Sequence, residues 1–144
     1  MGVYEDRAKL LWTFSAANGT SIGASGNSGG WAIPNPDNSD MYSAVPLGPG
    51  SDFQLTVYCG GKTLSPTLTV GLGYFDSAGH LFNPTALQVT VSLASTPATA
   101  VLNAGVRAGS SGTSYFAFPE WGQVYWIYGG TGTVTGVEMN LWGK

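Results

Sequence analysis

From Phe53 to Cys59 apolar and polar residues take turns, with Phe53, Leu55, Val57 and Cys59 on one parity and Gln54, Thr56 and Tyr58 on the other. A repeat of two puts the first set on one face of a β-strand and the second set on the opposite face. The same alternation recurs at Leu68, Val70, Leu72 and Tyr74 against Thr67, Thr69, Gly71 and Gly73, and at Leu87, Val89, Val91 and Leu93 against Gln88, Thr90 and Ser92. Leu102, Ala104 and Val106 alternate with Asn103 and Arg107, and Val137, Met139 and Leu141 with Glu138 and Asn140. Each run predicts a strand with one dry and one wet face. Residues 123–128, QVYWIY, are apolar on both parities. That stretch is expected to lie centrally in its sheet or to have its outer face covered.

Turn-forming residues separate these runs: Asn18-Gly19, Gly29-Gly30, Pro46 to Gly50, Gly60-Gly61, Asp76 to Gly79, Ser110 to Gly112 and Gly129 to Gly132. Strands at such spacing, about eight or nine of them, predict an all-β sandwich of antiparallel strands. The sharpest local signal is YFDSAGHLF, residues 74–82, where the Asp76 carboxylate can accept from following amides and Gly79 can take a positive φ in a tight hairpin. Pro46 to Gly50 reads as a corner that carries the chain from one sheet to the other before the strand at Phe53 begins. Helical period is nearly absent. Residues 5–12, EDRAKLLW, fit either one helical turn or an arm that ends in a strand, and residues 16–40 read as loop-rich. No linker divides the chain, which is expected to hold an N-terminal arm over 1–11 and one sandwich domain over 12–144.

Composition narrows the partners. Charged residues are 9% of the 144 residues, against about a quarter in an average soluble domain, while hydrophobic residues make up 43%. Five Trp, seven Tyr and six Phe with a net charge of only −3 argue against disorder over the whole length. The surface must then be built of Ser, Thr, Asn and Gly, which suits packing against neighbouring subunits. The five cations, Arg7, Lys9, Lys62, Arg107 and Lys144, form no stripe, so nucleic acid is not an expected partner. No run reaches the roughly 20 apolar residues of a membrane-spanning helix, and the opening residues carry charges where a secretion signal would have its apolar segment. The lone cysteine, Cys59, falls in an inward series and reads as a small buried hydrophobe.

Four short features, in order, carry a family resemblance: Gly30-Trp31, Pro49-Gly50, Phe75-Asp76 with Gly79, and Pro97-Ala98 with Ala100 and Val106. With them the chain, over roughly residues 12–142, resembles the galactose-binding-like jelly roll of carbohydrate-binding modules and of their relatives in bacteriophage tail and capsid-surface proteins. The resemblance implies a jelly-roll sandwich without catalytic machinery. Members often hold a structural calcium through acidic residues near the first strand and an Asp in the last. Here only Glu138 stands in such a place, so no metal and no cofactor is expected.

The candidate chemistry is aromatic. Trp31, Tyr42, Trp121, Trp126 and Tyr128 fall in or beside expected loops and the doubly apolar strand, where rings can stack on sugar C–H faces or on a protein partner. The competing reading puts Trp31 and Trp126 in the core. His80, the one histidine, has no nucleophile elbow and no second metal ligand at a metal-binding spacing. Asn18-Gly19-Thr20 fits a glycosylation acceptor and also a plain Asn-Gly turn. The expectation is a non-catalytic structural and adhesion module on a bacteriophage particle, with other virion subunits (a major capsid or tail protein) and host-surface glycans as partners and a homo-oligomeric state. Tyr4, Glu5, Asp6, Arg7 and Lys9 of the arm are its candidate docking residues. The alternative is a free, lectin-like carbohydrate-binding module.

Overall fold

In the computed structural model, which describes residues 8–15, 21–29, 31–48, 52–105 and 120–144, the period-two runs form two antiparallel sheets. The first sheet places β1 (Lys9–Ser15), β12 (Thr133–Gly143), β6 (Asp52–Thr63) and β10 (Ala98–Gly105) side by side in that order, and the short β2 (Ser21–Ile22) also pairs with β12. The second runs β4 (Trp31–Pro34), β5 (Met41–Pro46), β11 (Trp121–Gly130), β7 (Pro66–Phe75) and β8 (Leu81–Phe82). There β3 (Gly26–Asn27) pairs with β11, and β9 (Gln88–Val91) with β7. Eight of these strands carry the architecture. Taken in chain order as β1, β5, β6, β7, β9, β10, β11 and β12, they run first-eighth-third-sixth in one sheet and second-seventh-fourth-fifth in the other. That connectivity is a jelly roll, so the expected fold class holds.

The dry parities of the sequence meet between the sheets. Leu55, Val57 and Cys59 of β6 stand opposite Leu141, Met139 and Val137 of β12, and all six are buried. Leu68, Val70 and Leu72 of β7 face them from the second sheet, opposite Tyr128, Trp126 and Val124 of β11. The other parity faces water, with Gln54, Tyr58, Thr99, Val101 and Glu138 exposed. Its polar side chains bond across strands: Thr13 Oγ1 donates to Asn140 Oδ1 at 2.8 Å and Gln54 Nε2 to Asn103 Oδ1 at 3.0 Å. Cys59 is fully buried, and burial pushes its thiol up to about 11, so the thiolate is suppressed.

Pro46 to Gly50 lies at a change of sheet: β5 ends at Pro46 in the seven-stranded sheet and β6 begins at Asp52 in the five-stranded one. Leu47 anchors that corner, buried and donating its amide to Glu120 O at 2.7 Å. The doubly apolar stretch sits in β11, flanked by β5 and β7, in the central position expected of it.

Two local readings change. Lys9 to Trp12 is extended and paired with β12, so the helical-turn option for that part of the arm gives way to a strand edge. The stretch 16–40 is not mere loop: it contributes β2, β3 and β4. These strands are only two to four residues long, too short to show a period. Tyr4, Glu5, Asp6 and Arg7, the Asn18-Gly19-Thr20 triplet, Pro49-Gly50, Val106, Arg107 and Ser110 to Gly112 lie outside the described residues. Among the described residues, the one helical element is a three-residue 3-10 turn, Thr85–Leu87.

Candidate functional site at one end of the seven-stranded sheet

The hairpin between β7 and β8 forms as its sequence dictates. Asp76 Oδ1 accepts the amides of Ala78 at 2.9 Å and His80 at 2.8 Å, and Gly79 takes φ 94. A side chain on Gly79 would crowd the carbonyl oxygen of Pro34 at 3.1 Å, so the turn sits directly against the end of β4. Beyond β4, Asn35 Oδ1 accepts the Asp37 amide and Asn38 Oδ1 the Asp40 amide, which folds residues 35–40 into two successive polar turns.

His80 joins the two segments. Its Nδ1 lies 3.2 Å from Asp76 Oδ2 and its Nε2 3.6 Å from Asp37 Oδ1. Only the Nδ1 contact is within hydrogen-bond distance; the Nε2 contact with Asp37 is a longer electrostatic one. The His80 amide holds the Asp76 carboxyl below the usual aspartate range; desolvation, the next cause in size, opposes it, and the His80 ring and the Ala78 amide add to the lowering. A carboxyl lowered in this way stabilises the fold above its ordinary value of about 3.9, and that contribution is lost as pH falls through the lowered native value. Acid titration followed by NMR should therefore show the Ala78 and His80 amides shifting below about pH 4, and Asp76→Asn, which keeps the acceptor, should abolish the shift. A midpoint at or above the ordinary value would contradict the assigned bonds.

Between these segments lies a hollow of about 340 Å3. Ile33 and Pro34 of β4 form one wall, Trp121 at the start of β11 another, Phe75 is part of its lining, and residues 76–79 close the rim. Tyr42 rests its ring on Phe75 at a centroid distance of 5.3 Å and stands beside Ile33 in the β4–β5 register. The lining thus combines a half-buried indole, an aliphatic wall, and a carboxylate with a neighbouring imidazole. Such a site can cover an apolar face and hydrogen-bond a polar edge.

Of the four aromatic candidates whose side chains are described, Trp121 lines the hollow, and Tyr42 packs on Phe75 of its lining. Trp126 is corrected: it is 9% exposed, packs on Phe14 at 5.3 Å and donates Nε1 to Ala24 O at 3.2 Å. Gly26 lies under its ring, where a Cβ would come within 2.8 Å. Tyr128 is likewise turned inward, partly buried against the core, with its hydroxyl donating to Gly132 O. The cause is parity. On β11 the odd positions Trp121, Gln123, Tyr125 and Ile127 look outward, and Trp126 and Tyr128 belong to the even, inward set.

The outer face of β11 is closed partly by polar latches. Gln123, 5% exposed, donates to Ser43 O at 2.7 Å, and Tyr125 lies over Gly71 while Gln88 Nε2 donates to its hydroxyl at 2.8 Å. Trp31 is a residue of β4 whose side chain lies outside the described set. Lys9 is exposed at the start of β1. The residues that sequence reading missed are Asp37, Ile33, Pro34 and Phe75. The signal available for them was the segment IPNPDNSD, a dense run of turn residues. Among the described residues, no three His, Cys, Asp or Glu side chains are grouped to hold a metal ion, and no helix is long and apolar enough to cross a membrane. Comparison with protein-family models finds no match for the chain, and no curated protein matches it.

Proposed function

We propose that this chain is a non-catalytic structural and adhesion module of a bacteriophage particle, on the capsid surface or in the tail, that touches saccharide through the Trp121 hollow. The observation that carries the reading is the hollow itself, which Trp121 and Asp76 line together, the Asp76 carboxylate being bonded to the neighbouring His80. The only thiol is buried with its pKa raised. Indole stacking on a sugar face with an adjacent carboxylate on its hydroxyls is the chemistry such a rim supports.

The particle setting draws on the charge-poor, hydroxyl-rich and amide-rich surface. The outer face of the five-stranded sheet shows Thr13, Gln54, Asn103, Thr99, Tyr58 and Val101, with Glu138 as the acid among them. A surface of this kind loses little solvation when covered by other subunits. A free carbohydrate-binding module would use the same hollow, so the two readings part on particle association.

Trp121→Ala is expected to weaken saccharide binding at least tenfold, read by NMR titration with simple hexoses, while the far-UV spectrum and melting temperature stay near wild type. Undiminished binding in that variant removes the hollow from the account. Deleting residues 1–7, which leaves β1 intact, should abolish copurification with assembled particles if the arm docks the module.

A further inference from the structure

An antiparallel sandwich exposes strand edges, and unprotected edges pair with other chains. Four of the outer strands here are blunted. β1 begins with Lys9 and breaks register between Leu10 and Trp12. β4 has four residues and ends at Pro34. On the far side of the seven-stranded sheet, β8 and β9 have two and four residues.

β10 differs from all of these. It runs eight residues, Ala-Thr-Ala-Val-Leu-Asn-Ala-Gly, with no charge and no proline. Its register with β6 is unbroken from Ala98 opposite Cys59 to Gly105 opposite Asp52. Among the described residues β6 is its one hydrogen-bonded sheet partner, and β9 of the other sheet approaches it without pairing. At its midpoint, Val101 points outward and is 50% exposed, an apolar side chain on a largely polar face.

We infer that β10 is a self-pairing edge: two copies of this chain join antiparallel through it about a two-fold axis and continue the five-stranded sheet across the seam. Self-pairing fits because the strand carries no charge to repel its own copy, and an antiparallel edge is complementary to itself under two-fold symmetry. Parity fixes the register. Wet face meets wet face only if the axis passes through a residue. An axis through Leu102 would set Val101 against Asn103, apolar against polar, and Thr99 against Gly105, which has no side chain to bond it. An axis through Val101 uses Ala98 to Ala104. It sets Val101 against Val101 of the second copy, and Thr99 against its Asn103, an apolar pair flanked by two polar pairs that can hydrogen-bond.

Sedimentation of the full chain between roughly 10 and 200 μM should show a reversible monomer–dimer equilibrium, the weak affinity expected of a small seam. Val101→Lys and Val101→Glu each place like charges face to face and should weaken association at least tenfold, whereas an equimolar mixture of the two variants should restore the dimer. Because Val101 is half exposed, both variants should keep the wild-type circular dichroism. A measurement on the unaltered protein stands beside these: hydrogen exchange of the β10 amides should slow as concentration rises. A wild-type monomer throughout the range, a trimer, association unchanged in both variants, or exchange in β10 indifferent to concentration would each overturn the inference.

Discussion

Leu141→Ala should lower the unfolding free energy by about 3–4 kcal/mol, within the range for leucine truncation in a close-packed core. Leu141 is wholly buried, stands opposite Leu55 on β6 and Trp12 on β1, and so lies where three strands of the five-stranded sheet meet the second layer. Truncation removes the transfer free energy of the lost methyl groups and leaves a void that a sheet pinned on both sides closes poorly. For a chain of this size the melting temperature should fall by roughly 8–15 °C. Thr99→Ala, on the exposed parity of β10, should stay within about 0.5 kcal/mol of wild type. Calorimetry of the two variants checks the pair together. A loss below about 1 kcal/mol at Leu141 would mean that β12 presents its other face to the core, because a slip of one residue exchanges the faces.

Gly132→Ala is expected to cost about 2–4 kcal/mol, although it adds a single methyl group to a turn. Gly132 has φ 86, a region an L-residue enters at a cost of about 1–2 kcal/mol. Its added Cβ would also run into the carbonyl oxygen of Thr63. That oxygen belongs to the turn between β6 and β7, and backbone cannot rotate aside as a flexible side chain can. Around it, the Thr133 amide donates to Thr63 Oγ1 at 2.9 Å and the Thr131 amide to Ser65 O at 3.2 Å, so the two turns hold each other. Gly48→Ala supplies the comparison, having φ 63 with nothing within 4 Å of the added carbon. It should show the conformational cost alone, about 1 kcal/mol. Urea titrations should move the midpoint of Gly132→Ala well below that of Gly48→Ala at similar slopes. Equal midpoints would mean that the two turns do not touch.

What could be read from the sequence followed the strength of local rules. The alternation at Phe53 to Cys59 and at Val137 to Leu141 placed those side chains in the core because a two-residue period has only two outcomes once one face is dry. The hairpin at Asp76 was legible because its bonds lie within five residues. The hollow was not. Ile33, Trp121 and Asp76 come together only after β4, β7 and β11 take positions set by pairings across tens of residues, which no local window contains. Trp126 was left between core and contact surface for a nearer reason: in a strand apolar on both parities, composition no longer says which face is in, and the register against Val70 decides it. The contact between His80 and Asp37 belongs to the same long-range class as the hollow.

Residue 9 lies beside residue 143, so the beginning of β1 and the finish of β12 are hydrogen-bonded neighbours. Tension drawn through that pair of ends would meet the ladder one rung at a time and peel it like a zipper, the weakest way to load an antiparallel seam. Held from one end only, the same seam carries no such force, so the geometry favours tethering by a single point over suspension between two.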